Sequence, residues 1–316
     1  MGSTIQFYDL HPPQDDFLAE VVEGLSQFPK AISPKFLYDK RGAELFDDIC
    51  QLEEYYLTRT EMQILQTHAQ EIAGLMGDSV LMEFGSGSSQ KIRILLDADP
   101  EIKTYVGLDI SKQHLRESCE SLAQLYPDLE VMAVCADFTS PITLPGSLQN
   151  RLKVGFFPGS SIGNVPPEEA LQMLSHFAQL LGAGGNLIIG VDLKKDAAVL
   201  EPAYQDSQGV SAAFALNLLT RINRELGADF KPDQFDYQAS YNPLGRIEMV
   251  LVSQQPQTIH VQNQQFGFAQ GETLRTEFSY KYTVAEFQEL AAAAGFYPKT
   301  LWMDPKGWFS IHYLTT

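Results

Sequence analysis

The chain divides by the rhythm of its apolar positions. In "QDDFLAEVVEGLSQF", "GAELFDDICQL" and "RTEMQILQTHAQEIAGLM", all within residues 14–76, they recur every three or four places, the spacing of helices with one buried face. From residue 79 short, near-continuous apolar runs take over: "VLMEF", "TYVGLDI", "LEVMAVCADF", "KVGFFPG" and "NLIIGVDL". Helical stretches such as "HLRESCESLAQLY" and "PEEALQMLSHFAQLL" separate them. Apolar strands alternating with helices predict a parallel sheet covered on both faces. After "VDLKK" the rhythm changes again. Residues 195 to about 225 read as helix, and "DYQASYN", "RIEMVLVSQQ", "TIHVQNQQF" and "TLRTEFSYKYT" alternate polar and apolar, like an antiparallel sheet with one wet face. A helix, "VAEFQELAAAAGF", and two strands, "KTLWMD" and "WFSIHYL", follow, the strands joined through the turn-forming Asp304-Pro305-Lys306-Gly307.

The expected fold is α/β. A doubly wound, Rossmann-like sheet, mostly parallel with an antiparallel C-terminal hairpin, takes residues 61–194 plus 283–316. A second, α+β domain takes residues 1–60 plus 195–282. Ligands of such sheets bind at the carboxyl ends of the strands, where an insertion can cover them.

Composition narrows the ligand. The 316 residues are 44% hydrophobic and 20% charged, as in an ordinary soluble protein, but carry a net charge of −18 with no lysine–arginine cluster. Such a surface repels phosphate backbones, so no nucleic acid partner is expected and a small molecule is. There is no apolar run long enough for a membrane span. "MGSTIQFYDLHPPQDDF" lacks the basic start and apolar core of a secretory leader and fits no myristoylation signal, so a cytoplasmic protein off the membrane is expected. Three scattered cysteines, Cys50, Cys119 and Cys135, suit a reducing compartment. The six histidines, 11, 68, 114, 176, 260 and 312, fall in no ligand spacing, and no metal is expected.

The chemistry gathers at "LMEFGSGSSQK", residues 81–91, where a strand enters a glycine turn. A P-loop needs Gly-Lys followed by Ser or Thr, and here Gly87 leads into "SSQKIR". A dinucleotide fingerprint wants a third glycine where this chain has Gln90. The neighbouring strands end in acids: Glu83 before the turn, Asp109 in "VGLDI", and Asp137 with Phe138 in "VCADF". Asp109 is spaced to grip ribose hydroxyls, and Asp137 and Phe138 can take a base amino group and stack on the ring. Taken singly, each acid could be a helix cap or a solvated loop carboxylate. Together they disfavour a pyrophosphate and suit S-adenosylmethionine, a sulfonium cation without phosphate. The final hairpin is similar to that of class I methyltransferases.

"SPKFLYDKRGAELFDDICQLEEYYLTRTEMQIL", "EFGSGSSQKIRILLDA", "FFPGSSIGN" and "LRTEFSYKYT" together resemble the histidine-specific, S-adenosylmethionine-dependent methyltransferases, from about residue 15 onward. That resemblance implies Nα-trimethylation of L-histidine to hercynine, the opening step of ergothioneine biosynthesis, with S-adenosylhomocysteine as the second product. For the cofactor it implies Tyr38, Gly85, Lys91, Asp109, Asp137 and Phe138, with Tyr38 and Lys91 on the methionine carboxylate. For histidine and its mono- and dimethyl forms it implies Tyr55, Gly159, Asn164, Tyr204, Met249, Glu277 and Ser279. Asn164 and Tyr55 position the substrate, Glu277 and Ser279 meet the imidazole, Met249 lines the wall, and no general base is assigned. A monomer is expected. The family often has asparagine where this chain has Ala215, with Asn217 two places on, so that position either touches substrate and bears on selectivity or only packs a helix. Other readings are a relative acting on another amino acid or small amine, a nicotinamide-dependent oxidoreductase, and a binding module without turnover.

Overall fold

The computed structural model describes residues 5–10, 17–87 and 90–316. His11, residues 14–16 of the first expected helix, and Ser88 and Ser89 of the glycine turn lie outside the described residues. In chain order the elements begin with β1 (Gln6–Asp9), α1 (Phe17–Ser26), β2 (Lys30–Ala31), α2 (Lys40–Gln51) and α3 (Tyr56–Met76). Next come β3 (Val80–Phe84), α4 (Gln90–Ala98), β4 (Thr104–Asp109), α5 (Lys112–Leu125), β5 (Glu130–Cys135), β6 (Lys153–Phe157), α6 (Pro167–Leu181) and β7 (Asn186–Asp192). α7 (Ala197–Tyr204) and α8 (Val210–Leu226) lead into β8 (Phe235–Asn242), β9 (Arg246–Ser253), β10 (Gln257–Val261), β11 (Gln264–Phe268) and β12 (Thr273–Tyr280). α9 (Val284–Ala293), β13 (Tyr297–Met303) and β14 (Phe309–Thr315) complete the order.

The chain forms two compact units. Among the described residues the first takes 5–10, Leu57–Lys194 and Lys281–Thr316. Its eight-stranded sheet runs β1-β5-β4-β3-β6-β7-β14-β13. Pairing is parallel through β7, and β14 and β13 are antiparallel. This is the expected α/β architecture. The chain leaves β3 toward β4 and β5, then returns to build β6 and β7 on the other side, so strand order reverses between β3 and β6. A crevice opens at such a point. Every residue of β3, β6 and β7 is buried, which explains their unbroken apolar runs. The C-terminal hairpin turns on Asp304, whose carboxylate accepts the amides of Lys306, Trp308 and Phe309 at 2.7–2.9 Å.

The second unit takes 17–56 and Lys195–Tyr280. It holds a four-stranded sheet, β2-β12-β9-β8, with α7 and α8 packed on β8 and β9. "TIHVQNQQF" does not form one strand of that sheet. It folds back as the β10–β11 ribbon, with Gln262 at φ +51° in the turn. Two polar residues, Gln262 and Asn263, interrupt the apolar alternation there, and a two-residue loop of that kind closes a hairpin.

The chain crosses between the units at Tyr56–Leu57, Lys194–Lys195 and Tyr280–Lys281, so residues 57–60, expected with the second domain, lie in the first unit. Residues 6–9, expected with the second domain, pair in parallel with β5 as an edge strand of the first. Lys281 also lies in the first unit, where its fully buried ammonium stands 2.6 Å from Asp192. Among the described residues no helix is long and apolar enough to cross a membrane.

Candidate active site

In the first unit the turn after β3 is fixed by backbone bonds: the amides of Gly85 and Ser86 both donate to the carbonyl of Leu108, at 2.8 and 3.2 Å. Gly85 and Gly87 have φ of +72° and +40°, a region an L side chain rarely adopts, so the glycines are set by the path of the chain. A side chain on Gly85 would also meet the Phe138 ring. Asp109 ends β4, and one of its oxygens accepts the Ser111 amide at 2.7 Å. Burial raises its carboxyl above the ordinary value, against the pull of the Ser111 amide, His114 and the Gly87 amide. Asp137 lies just past β5, where one oxygen takes both the amide and the hydroxyl of Thr139, at 2.9 and 2.6 Å. Beside it the half-buried Phe138 ring leans on Phe84, Phe157 and Phe177, with centroids 5.8–6.2 Å away. Gly85, Asp109, Asp137 and Phe138 thus share the carboxyl edge of one sheet.

Glu83 departs from expectation. It is buried, it accepts the Tyr105 hydroxyl at 2.7 Å, and burial pushes its carboxyl up to about 8. At neutral pH it is an uncharged acid of the core, and the negative edge consists of Asp109 and Asp137.

Lys91, on the first turn of α4, reaches a partner that sequence reasoning missed. Its ammonium lies 2.5 Å from Glu61 of α3, and Glu61 is 1% exposed. Both Glu61 oxygens also accept the amide of Gly159 at 2.9 Å, so one carboxylate ties a cofactor candidate to a substrate candidate. Room for it comes from Gly190 in β7, where a Cβ would stand 2.0 Å from Glu61 Oε1. A signal was present in the sequence: Glu61 interrupts the apolar stripe of Leu57, Ile64, Leu65 and Ile72 on α3. Gly159 (φ +81°) and Ser160 (φ +57°) turn the chain after β6, and a short 3-10 segment, Ser161–Asn164, carries Asn164 half-buried at its end.

The other substrate candidates, and Tyr38, belong to the second unit. Glu277 pairs with Met249 and Ser279 with Ile247, which places both polar groups on the apolar face of β9. A bulge between Arg275 and Glu277 produces that register; without it Thr276 would stand opposite Met249. Tyr204, the last residue of α7, shares a 2.8 Å hydroxyl bond with Ser279. Its ring stands edge-on to Tyr55 at 5.9 Å, Tyr55 meets Phe46 at 6.4 Å, and Phe46 and Phe214 close on Tyr38 at 5.6 and 5.4 Å. Tyr38 hydrogen-bonds Glu277. Burial, reinforced by Glu277 and the neighbouring tyrosines, raises the phenols of Tyr38 and Tyr55 well above their ordinary value, so both are donors at neutral pH. Tyr237 of β8 was not anticipated. It donates to the Tyr204 carbonyl at 2.8 Å, and burial and Glu277 raise its phenol as well. The second unit therefore brings a buried carboxylate together with Ser279, Met249 and a set of tyrosines. Tyr38, a cofactor candidate, belongs to this unit, whereas Gly85 and Lys91 belong to the first.

A family model described as histidine-specific, S-adenosylmethionine-dependent methyltransferase matches residues 17–316. The chain belongs to that family. Histidine N-alpha-methyltransferase of Mycolicibacterium smegmatis is 40% identical to it over 298 residues, 92% of each chain. Its namesake from Mycobacterium tuberculosis is 39% identical over the same share of each. Ergothioneine biosynthesis protein 1 of Neurospora crassa is 35% identical over 208 residues, 63% of this chain and 23% of that protein. Against the family pattern, Ala215 is 2% exposed on α8, while Asn217 donates to Asp39 Oδ1 at 2.8 Å and so braces the N-cap of α2. Among the described residues no group of three or more His, Cys, Asp or Glu side chains could hold a metal ion.

Proposed function

We propose that this methyltransferase transfers three methyl groups in succession from S-adenosylmethionine to the α-amino nitrogen of L-histidine, giving hercynine at the start of ergothioneine biosynthesis. The observation that carries the reading is identity of about two residues in five, across nine-tenths of both chains, to two proteins named for histidine Nα-methylation. The donor set of the first unit fits the cofactor. Asp109 and Asp137 suit hydroxyl and amino donors, tolerate a cation and repel a pyrophosphate, and Phe138 offers a ring face. When bound, S-adenosylmethionine supplies an activated methyl carbon on a good leaving group, so the protein need not protonate anything to assist departure.

What remains for the protein is recognition and alignment. Glu277 accepts an imidazole N–H and Ser279 provides a hydroxyl beside it. Tyr55 and Tyr204 supply hydroxyl donors for the carboxylate. Positioning of this kind can lower a barrier by about 7–11 kcal/mol. Three transfers to one nitrogen require space around it, so grip on the two ends of the substrate must replace tight contacts to the amine. Tyr38 and Tyr55, whose phenols burial holds well above their ordinary value, stay protonated and are not bases, and the released protons pass to water. The first unit takes the cofactor and the second the amino-acid side chain, in a cytoplasmic monomer. Mass spectrometry of histidine incubated with the enzyme and methyl donor should find one, two and then three added methyls on the α-nitrogen. Unmodified histidine, beside turnover of another amine in a substrate panel, would replace this reading.

A further inference from the structure

The Glu61–Lys91 pair raises a question of charge. A lysine beside a sulfonium cofactor is electrostatically costly: it suits the carboxylate of the methionine tail but repels the sulfonium a few bonds away. Glu61 answers this. It is buried, lies 2.5 Å from the ammonium and is held by the Gly159 amide on both oxygens, in space that Gly190 leaves open. We propose that Glu61 is a positioning residue that fixes the Lys91 ammonium and cancels its charge, so that the site takes a carboxylate and a sulfonium cation together. The proposal rests on the reading of the first unit as an S-adenosylmethionine site.

A purely structural role for Glu61 would affect ligands with and without the sulfonium charge alike. A charge-cancelling role separates S-adenosylmethionine, which carries it, from S-adenosylhomocysteine, which does not. The experiment is calorimetry of both ligands on the full chain. Glu61→Gln leaves the Lys91 charge uncompensated and should weaken S-adenosylmethionine about tenfold more than S-adenosylhomocysteine, the size expected of one charge acting across a partly buried site. In Glu61→Gln with Lys91→Met both charges are gone, and the ratio of the two affinities should return to that of the wild type although both ligands bind more weakly. An unchanged ratio in Glu61→Gln, or a shift that persists in the double variant, overturns the proposal. If Glu61→Gln does not fold, Lys91→Met alone decides: the uncompensated Glu61 should move the ratio toward S-adenosylmethionine, and a wild-type ratio overturns the proposal. Wild-type protein binding neither ligand would refute the cofactor site itself, a failure distinct from these.

Discussion

At the scale of single residues, each unit holds a buried carboxylate, and the two have different surroundings. Glu61 spends its hydrogen-bonding capacity on protein partners, Lys91 and the Gly159 amide. Glu277 stands 8% exposed among phenols and is hydrogen-bonded by Tyr38; in the proposed function it accepts the imidazole N–H. Losing a hydrogen bond to a charged acceptor costs about 1.5–3 kcal/mol. Glu277→Ala should therefore raise the histidine KM roughly ten- to a hundredfold while leaving S-adenosylhomocysteine affinity near that of the wild type. Steady-state kinetics paired with calorimetry checks this, and an unchanged KM would remove Glu277 from the site. The resemblance pointed to Glu277 and Ser279, and residues two apart in a strand share a face. The partners of Glu61 and Tyr237 were not legible, because they are remote in sequence: Gly159 is 98 residues from Glu61, and Tyr204 is 33 from Tyr237.

At the scale of elements, alternation and helical spacing located the strands and helices well wherever an element buries one consistent face. α6 begins at Pro167 and ends at Leu181, the stretch that its apolar spacing marks. The pattern failed where pairing outweighed it. β1 is a short strand whose place comes from its bonds to β5, and the β10–β11 ribbon arises at a turn inside what reads as one alternation. Helix starts are held by side chains as well as by pattern. The Asp206 carboxylate accepts the amides of Gln208, Val210 and Ser211 at 2.8–3.0 Å and so anchors α8 just after Tyr204. Burial favours its protonated form, but those amides outweigh burial and keep the carboxyl below its ordinary range. Asp206→Ala should cost about 1–2 kcal/mol, seen as a fall of a few degrees in Tm by calorimetry. An unchanged Tm would mean that packing alone holds the helix.

At the scale of the whole molecule, two buried titratable groups tilt stability with pH in opposite directions. Folded Glu83 keeps its proton to about pH 8, whereas an ordinary glutamic acid loses it near 4.5. The folded state thus binds more protons across that window, and stability declines as pH rises through it. His312 is buried with its pKa lowered to about 4 from 6.5, so the unfolded chain binds the extra proton between those values, and stability rises with pH there. Above roughly pH 6.5 only the Glu83 effect of these two persists. Glu83→Gln, which mimics the neutral acid, should leave Tm nearly unchanged near pH 5 and reduce its fall between about pH 6.5 and 8. Equal pH profiles for variant and wild type would show that Glu83 titrates in the folded chain as it does in water.

The sequence by itself determined the fold class, the alternation of a covered parallel sheet with an antiparallel addition, and a glycine turn unsuited to phosphate. Those features follow from local spacing, which a chain carries wherever it folds. Only the tertiary structure decided that Glu83 is a neutral core acid, that Lys91 meets Glu61, and that a single bulge sets Glu277, not Thr276, opposite Met249. Each depends on which distant residue closes against it in a water-poor interior, where burial and one partner outweigh intrinsic preference.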